Sequence, residues 1–474
     1  MMNTKKNIMY TMVYQILAII VPLITTPYIS RVLGPEYLGI HSYTYSVVQY
    51  FMMFSLFGFE DYGNRSIAQT IDDKKELGKK FFSIYSLQFA ISSVIVCFYI
   101  IYLVLFVRQN NTIAFLQIFY LLSSLVNINW FFWGIQEFRI TITRNIIIKI
   151  INTFLIFFFV KNVDDLWKYT AILSIGMLLN NSILWAFIFK YVSWVRPSLK
   201  NIIKHFGPCL ILFLPLVSRS IFVYMDKIML GKISTMTQVG FYENSEKLIL
   251  APTAITTSLG TVMLPKVTNL ISRGQADVAK QYIKQSIQIV MLMAMAFSFG
   301  LAAIAPTFAP LYFGSGFIEC GKIIPIMAIT IVLVSWSNIF KTQYLIPCKK
   351  DRAFVVSVTL GAVVNFIVNF MTIKSFGARG AAWGWVLAEL AITFYQAFIS
   401  KKDLEIFTYL KETVPFLIIG FVMFIAVRCA GMLQKPLGEL LIIQIGVGVL
   451  VYMALSYFYI KKMRREIIDL IKRK

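Results

Sequence analysis

The chain has 474 residues, 58% of them hydrophobic and 14% charged, with 45 Lys and Arg against 22 Asp and Glu for a net charge of +23. So few charges cannot cover the surface of a soluble protein this long, so the composition excludes a water-soluble globule and predicts an all-α polytopic membrane protein. The five cysteines are scattered without CxxC spacing, and His41 and His205 are the sole histidines. A histidine-based metal or catalytic centre is therefore not expected, and neither is a bound cofactor.

Taken in chain order, apolar segments of bilayer-spanning length lie at 8–30, 39–59, 81–107, 112–134, 142–160, 169–189 and 206–231. They continue at 244–270, 284–310, 322–346, 353–373, 381–400, 413–431 and 439–460, which makes fourteen. The run after Lys5 and Lys6 is too long for a signal peptide and reads as a retained first span. The fifth span is short, and its flanks Arg144 and Lys149 are read as snorkelling anchors. With the N-terminus inside, about 29 basic residues fall on the cytoplasmic side and about 8 outside, so both termini are expected to be cytoplasmic. The +23 charge then reflects topology and attraction to anionic membrane lipids, and no nucleic-acid partner is expected. The tail Lys461 to Lys474 is a stop-transfer anchor or a short amphipathic helix on the membrane surface.

Two halves share a pattern. Leu33-Gly34 followed by Leu38-Gly39-Ile40 has a counterpart in Leu230-Gly231 followed by Val239-Gly240-Phe241, and prolines interrupt the paired spans at Pro22 and Pro27 and at Pro208 and Pro215. Spans interrupted at corresponding places mark a transporter's binding region. The organisation expected is two six-helix lobes, residues 1–200 and 201–402, related by a pseudo-two-fold along the membrane normal. Residues 403–474 add two helices and the basic tail.

Charge inside apolar segments is the main functional signal. Arg219 and Asp226 are seven apart and share a helix face. Arg219 is the sharpest candidate for meeting an anionic, amphiphilic cargo, with an internal ion pair to Asp226 or Glu389 as a compatible rival. Arg31, Arg65, Lys266 and Lys341 are rim candidates against a reading as snorkelling anchors. Asp226, Glu243, Glu246 and Glu389 are the carboxylates available for ion coupling, although Glu243, Glu246 and Lys247 also read as a local charge cluster at a helix start. Gln49, Gln88, Asn180, Asn181, Asn365 and Asn369 line a sugar path or, more commonly, join helices by hydrogen bonds, and Gly380 with Gly384 permits close helix packing. No external loop is long enough for a catalytic pocket, so an enzyme is not expected. No nucleotide-binding GxxxxGK[ST] loop occurs, which points to an ion gradient as the drive.

The segments SRVLGPEYLG (30–39), GFEDYGNRSIA (58–68), NINWFFWGIQEFRITITRN (127–145), YMDKIMLG (224–231), VGFYENSEKL (239–248) and TQYLIP (342–347) stand in the order of a known family. The chain resembles the Wzx-type polysaccharide-unit flippases of the multidrug/oligosaccharidyl-lipid/polysaccharide exporter superfamily. That resemblance implies a bacterial plasma (inner) membrane protein with a two-lobed, fourteen-helix, alternating-access fold. Its cargo would be undecaprenyl-pyrophosphate-linked oligosaccharide, moved to the outer leaflet for capsule, exopolysaccharide or O-antigen synthesis beside a polymerase and export machinery. The family's translocation-associated positions fall on Arg31, Arg65, Arg139, Arg219 and Lys341, with Asp226 as the acidic counterpart. Asn129 and Gln136 depart from the residues common in relatives, and the first span lacks the mid-membrane arginines of lipid II flippases. A multidrug antiporter of the same superfamily is the alternative, and a membrane polymerase or ligase a more distant one.

Overall fold

In a bilayer each backbone N–H and C=O must find its partner within the segment, and a chain this apolar therefore folds into helices. The computed structural model describes residues 4–71 and 73–472, without the side chains of residues 4–16, 18, 19, 214–216, 218–222 and 462–472. No strand occurs among the described residues. Eleven stretches among them are long and apolar enough to cross a membrane, and these coincide with the third to sixth and eighth to fourteenth predicted spans. Of the other three predicted spans, the first and seventh fall within the helices Thr4–Leu56 and Phe206–Ile233, and the second follows Thr4–Leu56 to its end and runs three residues beyond it. The protein is a multi-pass, all-α membrane protein, and its helices gather into two compact units, Met1–Gly231 and Lys232–Lys474.

The first unit opens with α1 (Thr4–Leu56), which carries Pro22, Pro27 and Pro35 and is interrupted at Gly34, with φ 71° and ψ 174°. The loop expected between the first two spans is thus reduced to a kink. Gly34 takes a conformation denied to other residues, and Pro35, with its φ preset and no N–H to satisfy, restarts the helix. Phe57 and Gly58 are both left-handed, at φ 36° and 75°, and lead into α2 (Phe59–Ala68). A Cβ on Gly58 would lie 2.7 Å from the Cys209 carbonyl oxygen, so two backbones touch there. Next, α3 (Lys74–Phe106) is capped by Asp73, whose carboxylate accepts from the N–H groups of Lys75 and Glu76 at 2.8 and 3.1 Å. Its neighbour Asp72 lies outside the described residues.

The fourth span is broken into α4 (Asn111–Leu116), α5 (Ile118–Leu125) and α6 (Asn129–Gly134), and α7 (Phe138–Phe159) supplies the fifth. Then come α8 (Leu166–Ser182), α9 (Trp185–Ile188), α10 (Leu199–Ile203) and α11 (Phe206–Ile233). Glycines bring α2 and α6 together: a Cβ on Gly63 would enter the Trp130 ring, and one on Gly134 would meet Ile67. Trp130, Phe131 and Phe132 are consequently sealed from solvent, beside Phe59 and Phe81.

The second unit contains α12 (Met236–Ser272), α13 (Ala276–Phe313) and α14 (Cys320–Phe340), which ends in the π-helical turn Lys341–Leu345. It continues with α15 (Asp351–Phe376), α16 (Ala378–Ser400), α17 (Ile406–Ala430) and α18 (Leu437–Lys472). Gly380 and Gly384 do admit a neighbour closely, since a Cβ at either would run into Thr372 or Asn369 of α15. The apolar part of α18 ends at Lys461, but its helix runs on unbroken to Lys472.

Candidate functional site

Because an intramembrane charge needs a partner or a watery cavity, the buried charges mark the candidate site. Arg144, Asp226 and Lys227 in the first unit, and Glu389 in the second, are each less than a tenth exposed.

Arg144 heads a directed chain of hydrogen bonds. Its guanidinium Nη2 donates to Asn129 Oδ1 at 2.9 Å and to Asn145 Oδ1 at 2.8 Å. Asn129 Nδ2 donates in turn to Asn127 Oδ1 at 2.8 Å, and Asn127 Nδ2 to Glu60 Oε1 at 3.2 Å. Two amides thus link a buried cation to a carboxylate, each dipole aligned so that positive charge at one end favours negative charge at the other. Side branches fix the chain in place: Asn180 Nδ2 donates to Asn145 Oδ1 at 2.9 Å, and Asn129 Nδ2 reaches Asn181 Oδ1 at 3.3 Å. Asn127's own carbonyl and that of Ser124 accept from Gln88 Nε2 at 2.8 Å, and Gln88 Oε1 takes the Trp130 indole N–H at 2.9 Å.

This centre was not found from the sequence, which takes Arg144 as a snorkelling anchor. Arg144 is 5% exposed and bonded inward, so that assignment is corrected. The physical reason is the break before α6, which turns Asn127 and Asn129 toward α7 and offers the guanidinium acceptors that a plain span would not. Asparagines at 127, 129 and 145 were the available signal, and Asn180 and Asn181 do join helices as expected.

The other expected residues separate by unit. Arg31 on α1, Arg65 in the last turn of α2 and Arg139 at the start of α7 are exposed. Asp226 is 4% exposed on α11, and the Tyr224 ring lies 6.2 Å from that of Tyr50 on α1. The Arg219 side chain lies outside the described residues. In the second unit Lys266 is exposed, with its ammonium 3.8 Å from the centre of the Tyr282 ring, and half-buried Lys341 stands 4.8 Å over Phe354. Such stacking on ring faces adds a modest attraction for each ammonium. Glu243 accepts an ion pair from Lys247 at 3.1 Å, and Glu246 is half-buried on the same helix. These charges stand two turns inside α12 rather than at its start, because the helix begins at Met236. Glu389 is buried on α16 within hydrogen-bonding range of Trp385.

Just before α11, His205 is 2% exposed, and its Nδ1 lies 2.6 Å from the Tyr62 hydroxyl of α2. Burial, together with Lys204 and Lys80, pushes its pKa down to about 4. The unfolded chain would bind a proton near the ordinary value of 6.5 while the folded one would not, so stability falls as pH drops from about 6.5 toward about 4. The expected slope from this residue is at most about 1.4 kcal/mol per pH unit. Thermal unfolding of the wild type and His205→Gln across this interval should show the slope in the former and its loss in the latter.

The model of the polysaccharide biosynthesis protein family matches residues 4–271, more than half of the chain. The chain belongs to this family. A Shigella dysenteriae relative, designated an O-antigen transporter, is 23% identical over 396 residues, covering 82% of this chain and 98% of its own. An Escherichia coli K12 relative of the same designation is 22% identical, covering 83% and 95%. Among solved structures, the lipid II flippase MurJ in its inward closed conformation matches 96% of this chain and 99% of its own, with a TM-score of 0.70 at 16% identity. That last likeness concerns the fold. The family match encloses Glu60, the asparagine chain, Arg144 and Asp226, whereas Lys341 and Glu389 lie beyond it.

Proposed function

We propose that this protein moves lipid-linked oligosaccharide repeat units from the cytoplasmic to the outer leaflet of a bacterial inner membrane, as a transporter and not an enzyme. The observation that carries the reading is the near-complete coverage of relatives designated O-antigen transporters. A multi-pass helical fold supports it, and the cationic side chains named below suit a pyrophosphate headgroup. In this reading the carrier is undecaprenyl-pyrophosphate, an ion gradient drives the cycle, and both termini face the cytoplasm. Arg31, Arg65, Arg139, Arg219, Lys266 and Lys341 serve the anionic headgroup, and Asp226, Glu243, Glu246 and Glu389 are available to a coupling ion. A polymerase and export machinery would consume the product. The test is the leaflet location of undecaprenyl-linked oligosaccharide in cells depleted of this protein, read with an outside-only lectin. Cytoplasmic accumulation reversed by re-expression is expected; normal appearance outside, with no redundant transporter, would overturn the proposal.

A further inference from the structure

His41 stands in the second half of α1, past the Gly34 break, in surroundings that suit an imidazole in either charge state. Its ring is stacked on Tyr45 with centroids 6.1 Å apart, and Tyr169 of α8 meets it edge-on at 4.8 Å. Tyr120 of α5 closes the cluster, 5.1 Å from Tyr45. The imidazole Nδ1 lies 3.0 Å from the Thr170 hydroxyl of α8. Backbone and neighbours are fixed as well: Gln117 Nε2 donates to Thr44 Oγ1 at 3.1 Å and reaches the His41 carbonyl at 3.4 Å. Gln117 has no exposure, and its Oε1 is a buried acceptor without a hydrogen-bond partner.

These contacts do not depend on one protonation state. A threonine hydroxyl rotates, donating to a bare Nδ1 or accepting from a protonated one, so Thr170 serves both. The stacked Tyr45 ring presents its face and adds attraction for an imidazolium without carrying charge itself. Titratable neighbours of the ring include Tyr45 on its own helix and Tyr169 on α8, with Tyr120 of α5 behind Tyr45. At the start of α8, Lys168 pairs with Asp165 of the preceding turn at 2.6 Å.

We infer that His41 is a protonation site of the transport cycle, its imidazole taking up one proton on a ring nitrogen lone pair and releasing it on the opposite side of the membrane. The inference rests on the transport reading above. It adds a histidine to a chain whose composition argued against a histidine-based metal or catalytic centre, because binding a proton needs one imidazole rather than a cluster.

Two readouts test it, and the first does not depend on transport. Protein carrying 15N-labelled histidine in lipid nanodiscs yields imidazole signals from His41 and His205 alone, and His205→Gln assigns them. Between about pH 8 and about pH 5 the His41 signal is expected to pass through a protonation midpoint. A signal flat across that range overturns the inference. The second readout uses proteoliposomes holding a short-chain polyprenyl-pyrophosphate with one fluorescent sugar, its outer fraction read by a membrane-impermeant quencher. For one proton per cycle, a pH difference of about one unit should shift the wild-type leaflet ratio about tenfold. His41→Gln keeps a partner for Thr170 but cannot charge, and is expected to flip the probe with no response to the gradient. A variant that answers the gradient as the wild type does, or a wild type indifferent to it, overturns the His41 assignment and leaves the transport reading intact. A wild type that never moves the probe overturns both.

Discussion

Replacing Arg144 by Met should lower the stability of the first unit by about 3 kcal/mol, from the loss of two charge-assisted hydrogen bonds in a buried setting. Methionine fills much of the volume, so the effect reports the guanidinium rather than a cavity. Asn129 Oδ1 would lose its donor, whereas Asn145 Oδ1 would keep the one from Asn180. The charge at the head of the amide chain would vanish too, leaving Glu60 with a neutral chain in front of it. Arg144→Lys should recover only part of the loss, because it restores the charge but not the placement of the planar Nη2, which donates to both Asn129 and Asn145. Thermal unfolding in detergent decides the matter. An unchanged midpoint in Arg144→Met would mean that the guanidinium contributes nothing net to the fold.

Arg219→Ala should abolish export of lipid-linked cargo while leaving the amount of inserted protein unchanged. An arginine within an apolar span costs about 2.5 to 3.5 kcal/mol on insertion scales, so removing it cannot make insertion harder. Such a residue is retained for what it meets, and the proposed cargo brings a pyrophosphate. Asp226, two turns on and 4% exposed, offers the competing explanation. Export measured with the outside-only lectin, beside quantification of the membrane-inserted protein, separates the two. Normal export from Arg219→Ala would make the arginine a structural partner of its own helix neighbours.

Hydropathy made the spans legible because a bilayer imposes a length and a composition on any helix that crosses it. It could not show how a span is broken. The fourth reads as one apolar stretch, yet it folds as three short helices, and the gap before Asn129 is what creates the acceptors for Arg144. Conversely, residues 31–38 read as a connection and prove to be helix on both sides of Gly34. Charge was legible in kind but less so in depth. Arg139 and Arg144 sit five apart in one quoted segment, and the sequence favours the first, which is exposed, over the second, which is buried. Depth depends on which neighbours a backbone turn brings round, and such turns rest on a few residues whose hydropathy is unremarkable. Tyrosines present the same difficulty. Spread over α1, α5 and α8, they form one cluster, with Tyr45 and Tyr169 against His41 and Tyr120 against Tyr45, only once the helices pack.

The seam between Gly58 and Cys209 also has a use at the bench. A contact between two backbones contains no rotamer that could give way, and here the Tyr62–His205 bond fastens it a second time. Any working motion must therefore carry α2 and the foot of α11 as one piece. Spectroscopic labels on Arg65 and Lys204 would hold a constant separation throughout the cycle, giving a built-in ruler against which every other distance change can be calibrated.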